Sequence, residues 1–468
     1  MITDRLKSTG SRVMDVTGTK SIPANVREFG AKGDFSTNDA PAIQAAIDCV
    51  YAHGGGTVCV PAGEYLSGPI HLKSRVTLHL QAGATLYASN DRRDYPDVPS
   101  HNMSGVFLRA DHAEDIAIEG DGAIHGQAEG TLSRNAEVRP EFRTNLVLFT
   151  GCRNVRLQNV KLLYADSWTL HLKQCDNVLI DGITIFNNIR RINTDGIDPD
   201  SCRNVRIANC HIVAGDDCIV LKCTTEDPCE NIVVTNCTLE SASTAVKLGT
   251  ESQADFRDVH FSNCTISRSS GGIGMFVKDG ACMERISFSN ITITDREHEE
   301  VEISAMPIFI DIERRHADSR LGRIRDVLFQ GISINSRFPV LIQGSPESRI
   351  ENLTMRDLSM RVETWQDFDT RIKRVGGRRT TSDERDTLFA RQPAYVTIAY
   401  ADDVTLDNVR VDIAPGVYAK SPRAAVSLHH VDGQSIGLVR RRPENGDGVI
   451  AVVRGNENAG ATKAESLS

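Results

Sequence analysis

From about residue 150 the chain repeats itself every 27 positions, and that period leaves few folds open. Val178, Val205, Ile232, Val259 and Ile286 keep the spacing, as do Asn209, Asn236, Asn263 and Asn290, and Cys210, Cys237 and Cys264. Internal periods of roughly 20–50 residues mark solenoids, propellers or arrays. The unit is rich in Val, Ile and Thr in short alternating runs such as Val205-Arg206-Ile207 and Ile232-Val233-Val234, and no stretch of it sustains a helical period. Propeller blades are longer, about 40–45 residues, and leucine-rich repeats would show regular leucines. The expected fold is therefore all-β, a right-handed parallel β-helix. Its coils stack at about 4.8 Å, so residues 27 apart form columns. The Asn column then runs amide hydrogen bonds along the stack. The Cys column fills the interior as small apolar side chains, since no CxxC pair or Cys/His cluster with ligand spacing is present.

Breaks in the period locate insertions. Ile286 to Val327 and Leu353 to Val404 exceed one coil, which predicts long loops near 295–320 and 365–395. Upstream, Asp39 to Tyr51 reads as a short helix with Pro41 in its first turn, placed to cap the open end of the solenoid. Gly54-Gly55-Gly56 follows that helix rather than opening one, so it reads as a turn and not a phosphate loop. The expected layout is an N-terminal extension (1–23), one β-helix domain (24–440) and a flexible tail (441–468).

Composition narrows the partners. Lys plus Arg number 53 against 62 Asp plus Glu, a net charge of −9, which argues against broad nucleic-acid binding. No apolar run approaches the roughly 20 residues of a membrane span. The opening MITDRLKSTGSRVMDVTGTK has no apolar h-region, so a cytoplasmic location is the expectation. Reduced interior cysteines suit it.

Chemistry concentrates in two phrases, Asn193-Thr194-Asp195-Gly196 and Gly215-Asp216-Asp217-Cys218. They are slightly less than one coil apart, which puts Asp195 on a coil adjacent to the Asp pair and offset sideways from it. Asp216 and Asp217 alternate faces if their segment is extended, whereas a turn after Gly215 would present both. Three carboxylates within about 10 Å can hydrolyse a glycosidic bond, one protonated as acid and another activating water. Like-charge crowding itself raises one pKa. On spacing alone, a surface calcium site or a pair of turn aspartates fits as well.

The wording of these phrases resembles glycoside hydrolase family 28, the polygalacturonase-like enzymes. The matching segments are Asn193-Thr194-Asp195-Gly196-Ile197-Asp198 and Gly215-Asp216-Asp217-Cys218-Ile219. Phe29-Gly30-Ala31-Lys32-Gly33-Asp34 and Pro61-Ala62-Gly63-Glu64-Tyr65 look like the opening segment of the wider β-helix superfamily. The resemblance covers roughly residues 24–415. It implies inverting hydrolysis of an α-linked glycoside, typically a galacturonide. It assigns catalysis to Asp195, Asp216 and Asp217, with Asp216 or Asp217 as general acid and acid–base carboxyls about 6.5–9.5 Å apart. No metal or cofactor is implied. A cytoplasmic location adds imported oligosaccharides and exo action, because long pectin chains do not enter cells.

Two family motifs are changed. Where the family carries Gly-His-Gly, this chain has Ala242-Ser243-Thr244-Ala245. Where it carries Arg-Ile-Lys, the chain has Phe276-Val277-Lys278. Lys278 is then the remaining contact for an acidic sugar, and Phe276 offers an apolar face to sugar C–H groups. The string Arg371-Ile372-Lys373 lies out of phase with the coils and reads as coincidence. Counting by 27 puts Trp168, Asp195, Lys222, Gly249 and Phe276 in one column, Asp217 between Arg190 and Thr244, and Glu251 beside Lys278. Trp168 either stacks on a sugar ring with His171 binding a hydroxyl, or packs under a loop with His171 solvated; Asn193, beside the acids, joins the candidate substrate contacts. Lys222 is either a cation for an acidic sugar or, by slight preference, a neutralising neighbour of Asp195. Glu251 with Lys278 is either a structural ion pair or an acid–base element. The partner class is an oligo- or polysaccharide. A lyase, epimerase or glycosyl transferase, or a non-catalytic carbohydrate-binding β-helix, is the competing class.

Overall fold

The structure is a computed structural model that describes residues 22–95, 105–132, 140, 142–295, 306–365, 393–420, 423–442, 452–455 and 463–465. Its chain winds as a right-handed solenoid of three parallel sheets. The repeat columns lie in register: Val155 pairs with Val178, then Val205, Ile232, Val259, Ile286, Val327, Leu353 and Val404 in turn. Register therefore survives every break in the 27-residue spacing. The extra residues leave the coil between strands and return, because a one-residue slip would turn each apolar column to solvent. These anchors are all buried, each worth about 1.5–3 kcal/mol.

The Asn column has a second cause that periodicity did not show. Asn209, Asn236, Asn263 and Asn290 take φ between 53° and 57°, the left-handed region, which Asn enters at little cost. Their amides also run along the stack, Asn236 to Asn209 at 3.4 Å and Asn290 to Asn263 at 2.7 Å. Cys210, Cys237 and Cys264 are buried and free, each thiol donating to a backbone carbonyl two residues back.

The helix spans Ala40–Ala52 and packs Ile43, Ala46, Ile47 and Val50 against the first coil. Asp39 precedes it but makes no side-chain cap. Its carboxylate accepts instead from the N–H groups of Lys32 (2.7 Å) and Gly33 (2.9 Å), pinning the opening loop. Gly54 and Gly55 turn with positive φ. Residues 296–305, the first part of one expected long loop, and 366–392, nearly all of the other, lie outside the described residues, as do 1–21 and most of 441–468. Ile308–Ile312, inside the first of those expected loops, is a strand of the site-bearing sheet. Within the expected tail, Val452–Gly455 pairs antiparallel with Lys463–Glu465.

Candidate active site

One sheet carries the acidic phrases. Its strands include Leu170–Lys173, Ile197–Asp200, Ile219–Cys223, Thr244–Ser252 and Gly271–Val277. Ile197, Ile219, Leu221, Val246, Leu248, Ile273 and Met275 point into the solenoid core. Strand alternation therefore turns His171, Asp198, Asp200, Lys222, Lys247 and Phe276 outward.

Asp195 and Asp217 stand in register on adjacent coils. Ile197 pairs with Ile219, 22 positions on, and the N–H of Gly196 donates to the carbonyl of Asp217 at 2.9 Å. The sideways offset expected from the 27-residue count is thus absent, and Asp217 stacks on Asp195, not Arg190. The column Trp168–Asp195–Lys222 breaks here as well, since Lys222 pairs with Asp200. The cause is the turns: Asn187 to Gly196 forms a longer connection than Gly215 to Cys218, and the strand register absorbs the difference. A bend at Gly215 presents both Asp216 and Asp217. A side chain at Gly215 would meet the Arg191 carbonyl at 2.1 Å, so only glycine fits.

The three acids are 3%, 6% and 1% exposed, in chain order. One carboxylate oxygen from each lies within 4.8 Å of the others. That is closer than the acid–base spacing of about 6.5–9.5 Å expected for inversion, because the register sets Asp195 on Asp217 directly.

Their environments separate them. Asp217 accepts from Ser243 Oγ (2.8 Å), from Thr244 N–H (3.1 Å) and from Lys247 Nζ (2.6 Å). Burial, the largest single influence, favours its neutral form. Lys247 and then Lys222 outweigh it and hold its pKa below the usual carboxylate range. Asp195 goes the other way: burial first, then the charge of Asp216, push it up to about 7. Asp216 accepts from the N–H of Asn193 at 3.2 Å. Asn193 itself takes φ 55° and receives Arg143 on its side-chain oxygen at 3.0 Å, so it shapes the turn that aims Asp216.

Lys222 lies 3.4 Å from both Asp195 and Asp198 and 3.8 Å from Glu251, under the Trp168 ring at 4.8 Å. Burial works against its ammonium, but Asp195, Asp198 and Glu251 outweigh that and raise its pKa well above the usual lysine value. His171 bonds Asp200 at 3.2 Å and meets Trp168 edge-on, with its pKa lowered chiefly by burial. Trp168 is half-buried.

Two expected contacts differ. Lys278 does not pair with Glu251: its ammonium bonds Glu313, and both are buried. Glu251 faces Lys222 instead. Phe276 is buried edge-on against Phe309 at 5.2 Å between ring centres, so it offers no free face to a sugar. Arg371 and Lys373 lie outside the described residues. Sequence reasoning missed Lys247, Ser243 and Asp198. Lys247 is one 27-residue step from Val220, an outward position beside the Asp pair, and counting from outward positions would have found it.

Three clustered carboxylates could also ligate a cation. Lys222 and Lys247 already supply compensating charge at 3.4 and 2.6 Å, so the donor set suits proton transfer between acids of unlike pKa.

Known proteins bear on this arrangement. The model of "Glycosyl hydrolases family 28" matches residues 53–375. A "Probable polygalacturonase" of Vitis vinifera is 35% identical over 215 residues, 42% of this chain and 44% of that protein. An "Exo-poly-alpha-D-galacturonosidase" of Dickeya chrysanthemi is 25% identical over 259 residues, 43% of this chain and 42% of that one. The chain thus spans less than half the length of these curated relatives. Among solved structures, the family 28 exopolygalacturonase of Yersinia enterocolitica superposes with a TM-score of 0.67 at 19% identity, covering 90% of this chain and 79% of that one. A hyperthermoactive exopolygalacturonase from Thermotoga maritima gives 0.62 at 23%, covering 73% and 87%. At such identities the superpositions speak for the β-helix alone. The family match runs through both acidic phrases, and the chain belongs to glycosyl hydrolases family 28.

Proposed function

We propose that this protein hydrolyses an α-linked glycoside of pectin-type oligosaccharides, galacturonide or rhamnogalacturonan-like, by exo action and with inversion; inversion rests on the family resemblance and not on the carboxylate spacing. The observation that carries the reading is the set of three buried carboxylates from two successive coils, two of which are driven to opposite protonation states. Family membership and relatives called polygalacturonase and exo-poly-alpha-D-galacturonosidase support the substrate class and the exo mode.

In this mechanism the raised carboxyl of Asp195 supplies the proton. Asp216 is the least buried of the three and delivers that proton to the glycosidic oxygen as the bond to the anomeric carbon breaks. Asp217 is ionised and accepts a proton from the water that attacks the same carbon. Its ion pair with Lys247 removes it as general acid, which narrows the two candidates that the resemblance left. Lys222 and Trp168 form the wall beside Asp195.

Product analysis tests the reading. New reducing ends without ultraviolet-absorbing unsaturated sugar support hydrolysis, whereas an unsaturated product means a lyase. Proton NMR of the first-formed anomer decides stereochemistry, and a retained anomer would overturn inversion.

A further inference from the structure

We infer that Lys247 is a positioning residue for this reaction, orienting Asp217 and keeping it charged from the coil beyond the Asp pair. The inference rests on the proposed hydrolysis and assigns a function to a residue outside both acidic phrases.

The geometry starts with register. Val220 pairs with Lys247, and Lys247 with Gly274. Both Val220 and Lys247 face outward, so the lysine emerges on the surface that holds the acids. Its Nζ lies 2.6 Å from Asp217 Oδ2, while Ser243 Oγ and Thr244 N–H take Oδ1. Asp217 is thereby held through both oxygens by three donors from a single strand and the turn before it. That fixes its rotation as well as its charge, which a base needs to accept a proton at a defined point.

The surroundings leave this task to Lys247. From the preceding coils Asp195, Asp216, Asp198 and Lys222 face the pair, and from its own strand Glu251 does. Lys222 is engaged by Asp195, Asp198 and Glu251. On the far side the register partner is Gly274, which has no side chain. A Cβ there would meet the Phe276 ring at 2.5 Å and Thr244 Cγ2 at 3.2 Å, so that flank is closed by packing. Lys247 itself is largely buried, and burial would neutralise a lone amine. Asp217 most strongly, and Asp216 further, keep it an ammonium despite Lys222. The stretch Ala242-Ser243-Thr244-Ala245, where the family motif has histidine, supplies hydroxyl and amide donors. The cation, Lys247, comes two residues after that stretch.

The test compares Lys247→Met and Lys247→Arg with the parent protein. If Lys247 holds Asp217 charged, Lys247→Met lowers kcat by about 10²-fold or more. It also moves the acid limb of the kcat/KM profile up by at least one pH unit, with KM little changed. Lys247→Arg restores the limb towards the parent position. A purely structural lysine would lower the active fraction without moving the limb, and an unmoved limb in a folded Lys247→Met overturns the inference. An activity-free arm separates this from failure of the hydrolase reading. In Lys247→Met the buried Asp217 loses its cation, so its pKa rises and the denaturation midpoint falls relative to the parent as pH goes from 4 towards 7. Adding Asp217→Asn to Lys247→Met abolishes that pH-dependent gap. A gap that persists in the double variant overturns the inference, whatever glycan the protein cleaves.

Discussion

Lys278 and Glu313 form a buried ion pair across neighbouring coils of the site-bearing sheet. The strands that bring them together, Gly271–Val277 and Ile308–Ile312, are paired in register. This lysine was the candidate contact for an acidic sugar, yet a carboxylate of the protein takes its ammonium. Removing one partner of a buried pair costs about 3–5 kcal/mol, because the other charge stays buried. Lys278→Met is therefore expected to lower the denaturation midpoint sharply, and Lys278→Met with Glu313→Gln to recover much of the loss. A raised KM for an acidic oligosaccharide with unchanged stability would return Lys278 to the sugar.

Asp→Asn at positions 195, 216 and 217 should each collapse turnover, by about 10²–10⁴-fold, measured on whichever oligosaccharide the parent cleaves. Asp217→Asn also leaves Lys247 without its closest anion, so it should unfold more readily than the parent. Near-parent turnover in Asp216→Asn or Asp217→Asn removes the hydrolase assignment.

The pKa directions set a pH window. Asp195 is raised from 3.8 to about 7 by burial and by the charge of Asp216. Activity should fall as pH rises through about 7 and the Asp195 proton is lost. Asp217 is depressed, so activity should persist well below pH 7 until that group protonates. Stability follows the same signs. Between the unfolded value of 3.8 and about 7 the unfolded Asp195 ionises while the folded one does not, so its contribution is lost as pH rises. The contribution of Asp217 is present above its unfolded pKa and lost as pH falls through its folded one. A kcat/KM profile flat from pH 6 to 9 would contradict this.

The fold was legible because a solenoid writes its geometry into the chain: Val178, Val205, Ile232, Val259 and Ile286 are 27 apart in sequence and neighbours in register. The acids were legible as phrases, but their stacking was not. Two turns of unequal length change the step from 27 to 22 between Ile197 and Ile219, and a fixed period cannot report a local change in turn length. Side-chain partners were the least legible. Whether Lys278 reaches Glu251 or Glu313 depends on which strand follows a break in the period, and Glu313 lies just beyond such a break. A second Asn column, at Asn154, Asn177, Asn204 and Asn231, was present in the repeated Arg-Asn-Val and related phrases. It marks left-handed bulges at φ 56–60°, a backbone requirement that spacing alone does not reveal.

Trp168 and Phe276, read from the sequence as two apolar surfaces for sugar, should now behave differently. Trp168 is half-buried, with its ring 4.8 Å from the Lys222 ammonium and edge-on to His171. The lysine draws on the ring's electron density, and the half-buried ring keeps part of its surface open. Trp168→Ala should raise KM by about 3- to 10-fold, the worth of one aromatic contact at about 0.5–1.5 kcal/mol, while Trp168→Phe keeps most of the affinity. Phe276 is fully packed against Phe309, so Phe276→Ala opens a cavity and should cost about 3–5 kcal/mol of stability. Where that variant remains folded, its KM should stay near the parent value. The paired measurement is steady-state kinetics beside chemical denaturation. A Phe276→Ala protein with parent stability and a tenfold higher KM would show that the ring faces substrate after all.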